Sequence, residues 1–155
     1  MMKQLAIALL VLTLSACGFT PLYAGGAASG NINVETIEGR AGHALRKALL
    51  HELAPGLPGL DSPASLNIVL DESIGRLALR PDESATRTDI IVSADYVLSF
   101  EGNALSGKST AETSFLVPDA PFSDIAAQID ATDRAMNVLA RRIADDLRIQ
   151  MANAE

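Results

Sequence analysis

The stretch from Thr88 to Phe100 constrains the fold more than any other part of the chain. Ile90, Val92, Ala94, Tyr96, Leu98 and Phe100 alternate there with Asp89, Ile91, Ser93, Asp95, Val97 and Ser99. A period of two residues places the first set on one face of a β-strand and the second set on the other. Such a strand needs one face covered by a second layer and leaves its other face mostly wet, as in an antiparallel sheet.

The flanking segments supply more strands and the covering layer. Ile32 and Val34 alternate with Asn31, Asn33 and Glu35, which predicts a short strand. A helix is expected from about Arg40 to Ala54, with Ala41, Leu45, Ala48, Leu49 and Leu53 on one stripe, stopped by Pro55-Gly56-Leu57-Pro58-Gly59. A strand from near Ser65 carries Leu66, Ile68 and Leu70 on one face. Beyond Glu72 the apolar parity shifts to Leu77 and Leu79, and Gly75 is the expected place of a bulge or bend. After the Thr88 to Phe100 strand, Gly102-Asn103 predicts a turn into a further strand from about Leu105 to Val117. Pro118 and Pro121 end it, and Ser123 is the expected N-cap of a long helix whose core stripe is Ile125, Ile129, Thr132, Met136, Leu139, Ile143 and Leu147. The expected fold is α+β: two helices packed on one face of a four-stranded, mostly antiparallel sheet, in the order β-α-β-β-β-α.

The amino terminus stands apart from this pattern. Lys3 precedes an apolar run, Leu5 to Leu14, which is followed by Ser15, Ala16 and the single cysteine of the chain, Cys17. Ten residues are too few to span a hydrocarbon core, which needs about 20, so the run reads as an export signal. Leu14-Ser15-Ala16-Cys17 resembles the lipobox of bacterial lipoproteins, in which the thiol is lipidated and cleavage makes the cysteine the first residue. Two or three acyl chains, at about 0.8 kcal/mol per buried CH₂, would hold such a protein on a membrane. The sequence thus divides into 1–16, a signal; 17–31, a lipidated cysteine with a Gly-rich tether that carries Phe19, Leu22 and Tyr23; and 32–155, one α+β domain. Cleavage removes Lys3 with the signal, so the net charge moves from −7 over 155 residues to −8 over 139. Bulk attraction to nucleic acid is excluded by that acidity. Gly18 rather than an acidic residue follows Cys17, which in the sorting system of such lipoproteins favours the outer membrane.

Two motifs carry a further resemblance. Cys17-Gly18-Phe19-Thr20-Pro21-Leu22-Tyr23, followed by Gly39-Arg40-Ala41-Gly42-His43-Ala44-Leu45-Arg46-Lys47-Ala48-Leu49, resembles the LPS-assembly lipoprotein family LptE, particularly its alphaproteobacterial members. The resemblance runs along essentially the whole mature chain, including Val117-Pro118-Asp119-Ala120-Pro121-Phe122 ahead of the last helix. It implies an outer-membrane lipoprotein, lipid-anchored on the periplasmic side, that plugs the large β-barrel LptD, helps it assemble and assists insertion of lipopolysaccharide into the outer leaflet. It further implies lipopolysaccharide binding, no enzymatic activity and no cofactor. An unrelated outer-membrane lipoprotein that binds a soluble periplasmic partner or ligand is the alternative, and a lipid-anchored enzyme is a third class.

Phosphates on a lipid would require locally gathered arginine in an acidic protein. Arg76, Arg80 and Arg87 fall in the second and third strands and the turn between them, where a hairpin would bring them to one end of the sheet. Asp82, Glu83 and Asp89 lie close by and would dilute their charge. The wet sheet face, rich in Ser and Thr, and the tether are the expected partner surface, with Ile91 and Val97 as docking spots on that face. The sequence carries no Gly-x-Ser-x-Gly elbow, no Gly-Lys-Ser/Thr phosphate loop and no His-Glu-x-x-His. His43 and His51 stand two helical turns apart with Lys47 between them, a spacing that does not serve one metal.

Overall fold

The computed structural model describes residues 31–79, 85–117 and 120–154. The elements are β1 (Ile32–Val34), α1 (Gly39–Glu52), β2 (Ala64–Leu79), β3 (Ala85–Phe100), β4 (Asn103–Leu116) and α2 (Pro121–Ala154). Their order is the β-α-β-β-β-α expected from the periodicity. The strands form one sheet in the order β1-β2-β3-β4. β1 pairs with β2 in parallel, from Ile32 opposite Ala64 to Val34 opposite Leu66, because α1 carries the chain back between them. The other two pairings are antiparallel.

Both helices lie on one face. α1 packs on α2 and β1, while α2 packs on β3 and β4. Leu45 and Leu49 of α1, Met136, Leu139, Ile143 and Leu147 of α2, and Leu66, Ile90, Val92, Tyr96 and Leu98 of the sheet are all fully buried in this one core. At about 1.5–3 kcal/mol for each large apolar side chain, this packing is what the alternation in β3 is built to exploit.

The β3–β4 hairpin closes with Phe100 opposite Asn103, so the two-residue loop is Glu101-Gly102, one position earlier than the sequence suggests. Both loop residues have positive φ, 47° and 80°, as a twist-matched type I′ hairpin turn requires. Glycine accepts that backbone at no steric cost, and Glu101 holds it against its own preference.

Two other expectations need correction. No bulge occurs at Gly75: the β2–β3 register is unbroken, with Gly75 directly opposite Asp89. The apolar parity fades beyond Glu72 for a different reason. α1 is about 21 Å long, whereas the long strands run about 50 Å, so the second layer is two helices wide at one end only. Residues 71–77 of β2 are exposed on both faces, and nothing selects an alternating pattern there. The last helix begins at Pro121 rather than after a Ser123 cap, since the Ser123 and Asp124 amides both donate to the Ala120 carbonyl. Proline suits the first helical position because the amide it lacks would have no partner there. The core stripe of α2 correspondingly starts late. Ile125 is exposed and Ile129 and Thr132 are half-buried, while full burial begins at Ala131.

Arginines close several open backbone ends. Arg46 Nε donates to the Val34 carbonyl at the outer edge of β1 at 3.0 Å, and Arg148 Nη2 donates to the Glu52 carbonyl at the end of α1 at 2.7 Å. Arg142 donates to the Thr110 carbonyl on the free edge of β4. Each removes an unpaired acceptor from a sheet edge or helix end, where it would otherwise invite pairing with another chain.

Candidate functional site

Among the described residues, three surfaces carry unpartnered chemistry: the uncovered face of the sheet, its thin end, and a groove between the helices. On the uncovered face the registers align Asn67, Val97 and Ser106; Val69, Asp95 and Lys108; Asp71, Ser93 and Thr110; and Ser73, Ile91 and Glu112 across three strands. The face is therefore a lattice of short polar side chains interrupted by exposed Val69, Ile91 and Val97. Lys108 and Asp95 form an exposed cross-strand ion pair at 3.0 Å, worth about 0–1 kcal/mol. At the β1 end, the Asn67 amide and the Ser65 hydroxyl donate to the Glu35 carboxylate at 2.6 and 2.9 Å. Those two bonds, the one from Asn67 foremost, hold the Glu35 carboxyl below its ordinary pKa.

The thin end exposes apolar side chains. Ile74, Leu77, Leu116, Phe122 and Ile125 are all exposed there, Phe122 by 89%. Here too lie the arginines singled out in the sequence. Arg76 stands opposite Thr88, and Arg87 opposite Leu77. Thr88 is buried on the helix side, so strand alternation puts Arg76 on the helix side and Arg87 on the uncovered face. The two share an end of the sheet and not a face. Arg87 is engaged with Asp89 of its own strand at 2.7 Å. Arg80 falls outside the described residues, as do Cys17, Phe19, Leu22 and Tyr23.

The groove between α1 and α2 has a volume of about 500 Å³ and is lined by Arg40, His43, Lys47 and His51 of α1, with Glu52, and by Asp133 and Asn137 of α2. The lining basic residues follow one another at spacings of three, four and four, one face of a helix. Periodicity in charge rather than in hydropathy would have revealed this stripe in the sequence. Among the described residues, no group of three or more His, Cys, Asp or Glu side chains is placed to share a metal ion, and no helix is long and apolar enough to cross a membrane.

No protein-family model and no curated protein sequence matches the chain. Solved structures do. A protein of Caulobacter crescentus CB15 described as a "putative lipoprotein" superposes with a TM-score of 0.63 at 26% identity, over 81% of this chain and 93% of that one. Rare lipoprotein B of Shewanella oneidensis gives 0.50 at 13% identity, over 80% and 93%, and a minor lipoprotein of Acinetobacter baumannii gives 0.52 at 14% identity, over 79% and 93%. Identities of 13% and 14% speak to the fold alone. The β-α-β-β-β-α sheet with two helices on one face is a fold this chain shares with bacterial lipoproteins.

Proposed function

We propose that this chain is an outer-membrane lipoprotein of the lipopolysaccharide transport and assembly machinery, anchored through Cys17 and seated as a plug and assembly partner in an LptD-like β-barrel. The observation that carries the reading is the uncovered sheet face. It offers Ser, Thr, Asn and Asp side chains in register across three strands, with single apolar contacts at Val69, Ile91 and Val97. A polar, hydrogen-bonding surface of this kind suits the water-filled lumen of an outer-membrane barrel, which is lined by polar side chains. A cysteine placed after an apolar run supports the anchor, and the likeness to lipoprotein folds agrees with it.

Lipopolysaccharide contact at the thin end of the sheet belongs to the same proposal. Arg76 and Arg87 would then act from opposite faces around the end of the β2–β3 hairpin rather than as one patch, with Arg80 of the connecting segment as the third cation. The role is one of binding and assembly, without catalysis or cofactor. Affinity purification of the full-length lipoprotein from gently extracted membranes tests the reading. A large β-barrel outer-membrane protein should come down in near equimolar amount, and its absence would contradict the plug role.

A further inference from the structure

An acidic chain that gathers cations on one helix has separated its charges, and α1 does so. It carries Arg40, Arg46 and Lys47 and both histidines of the protein, against Glu52 as its one acid, in a chain of net charge −7. Arg46 is spent on the β1 edge. Arg40, His43 and Lys47 are exposed along the groove wall and enter none of the ion pairs among the described residues. The acids of the groove are unevenly placed. Glu52 lies at its far end beside Arg141, at 3.9 Å, while Asp133 faces the stripe from α2 without closing an ion pair onto it. Arg40, His43 and Lys47 are thus a part of the stripe that no ion pair among the described residues neutralises, and the run begins at the helix end whose dipole favours an anion. Asn137 adds an amide on the opposite wall.

We propose that this groove binds a phosphate-bearing ligand through Arg40, His43 and Lys47. Two cations on one wall, Arg40 and Lys47, with the His43 imidazole between them as a hydrogen-bonding group, favour a multiply charged anion over a single carboxylate, and the arginine fork matches two phosphate oxygens at once. A volume of about 500 Å³ falls in the usual range for small-molecule sites and takes a phosphorylated headgroup or a small phosphate ester. The phosphate can come from a lipid or from a soluble molecule. The site is separate from the arginines of the thin sheet end and does not depend on the barrel reading.

Calorimetric titration of the full-length lipoprotein in maltoside micelles distinguishes the sources, with inorganic pyrophosphate as the soluble probe, phosphatidic acid as the lipid probe and phosphatidylcholine as the control. Saturable binding of at least one phosphate probe is expected, and it should weaken about tenfold or more in R40E/K47E. Saturation by pyrophosphate assigns a soluble ester; saturation by phosphatidic acid alone assigns a lipid headgroup. Both altered side chains are exposed, so R40E/K47E should melt with the wild type, and R40Q/K47Q should show an intermediate loss if charge is the cause. No saturable binding of either probe, or equal binding by R40E/K47E, overturns the proposal.

Discussion

Gly107→Ala is expected to destabilise the protein by about 3 kcal/mol, lowering the melting temperature by roughly 10 °C. Gly107 lies opposite Tyr96 in the β3–β4 pair, on the face the helices cover. Tyr96 is fully buried, and its hydroxyl donates to an Asp146 carboxylate oxygen that also accepts from Gln150 Nε2 at 2.9 Å. To reach Asp146 the ring passes directly over Gly107. A Cβ there would stand 2.6 Å from Tyr96 Cζ and 3.0 Å from the Asp146 oxygen, with the Tyr96 hydroxyl in its way as well. The ring cannot retreat without giving up the one bond that satisfies a buried phenol. Removing the hydroxyl should therefore relieve part of the clash, so the alanine should cost less in a Tyr96→Phe background. Denaturant unfolding of the four proteins of that cycle measures the coupling, and strict additivity would contradict the account.

Gly42→Ala should cost about 2–3 kcal/mol for a related reason, with less room for escape. A Cβ at position 42 would sit 2.7 Å from both the Ile37 Cγ2 and the Ile37 carbonyl oxygen and 2.8 Å from the Ile37 carbonyl carbon. Two of those atoms are backbone, so the first turn of α1 would have to move off the segment that links it to β1. Gly75→Ala is the matched control. No atom of the described residues lies within 4 Å of a Cβ at that position, and the effect should stay within about 0.5 kcal/mol. Equal losses at positions 42 and 75 in thermal unfolding would show that backbone propensity, rather than packing against Ile37, governs both.

These positions show what the sequence made legible. Hydropathy period alone places β3, the stripe of α1 and the buried half of α2, because each presents one face to a single core. It failed where that core ends: past Glu72 in β2 and before Ala131 in α2, side chains meet solvent and their order carries no signal. Gly75 looked like a bulge for that reason alone. Spacing also placed Arg76 and Arg87 at one end of the sheet, yet the odd number of residues between paired positions and the alternation of the strands set them on opposite faces. Gly107 and Gly42 need three-dimensional neighbours, Tyr96 and Ile37, before their role can be stated. The basic stripe of α1 was written in the chain throughout, at Arg40, His43, Lys47 and His51, but as a period in charge.

The proposed plug role would bury the uncovered sheet face against a membrane barrel. Its most direct test is a photoreactive residue placed at Val97, in the middle of that face, in the full-length lipoprotein in living cells, with Leu50 on the exposed side of α1 as the comparison position. A strong crosslink from position 97 to one β-barrel outer-membrane protein is expected, with little or none from position 50. Crosslinks from position 97 only to soluble periplasmic proteins, or barrel crosslinks from position 50 alone, would contradict it.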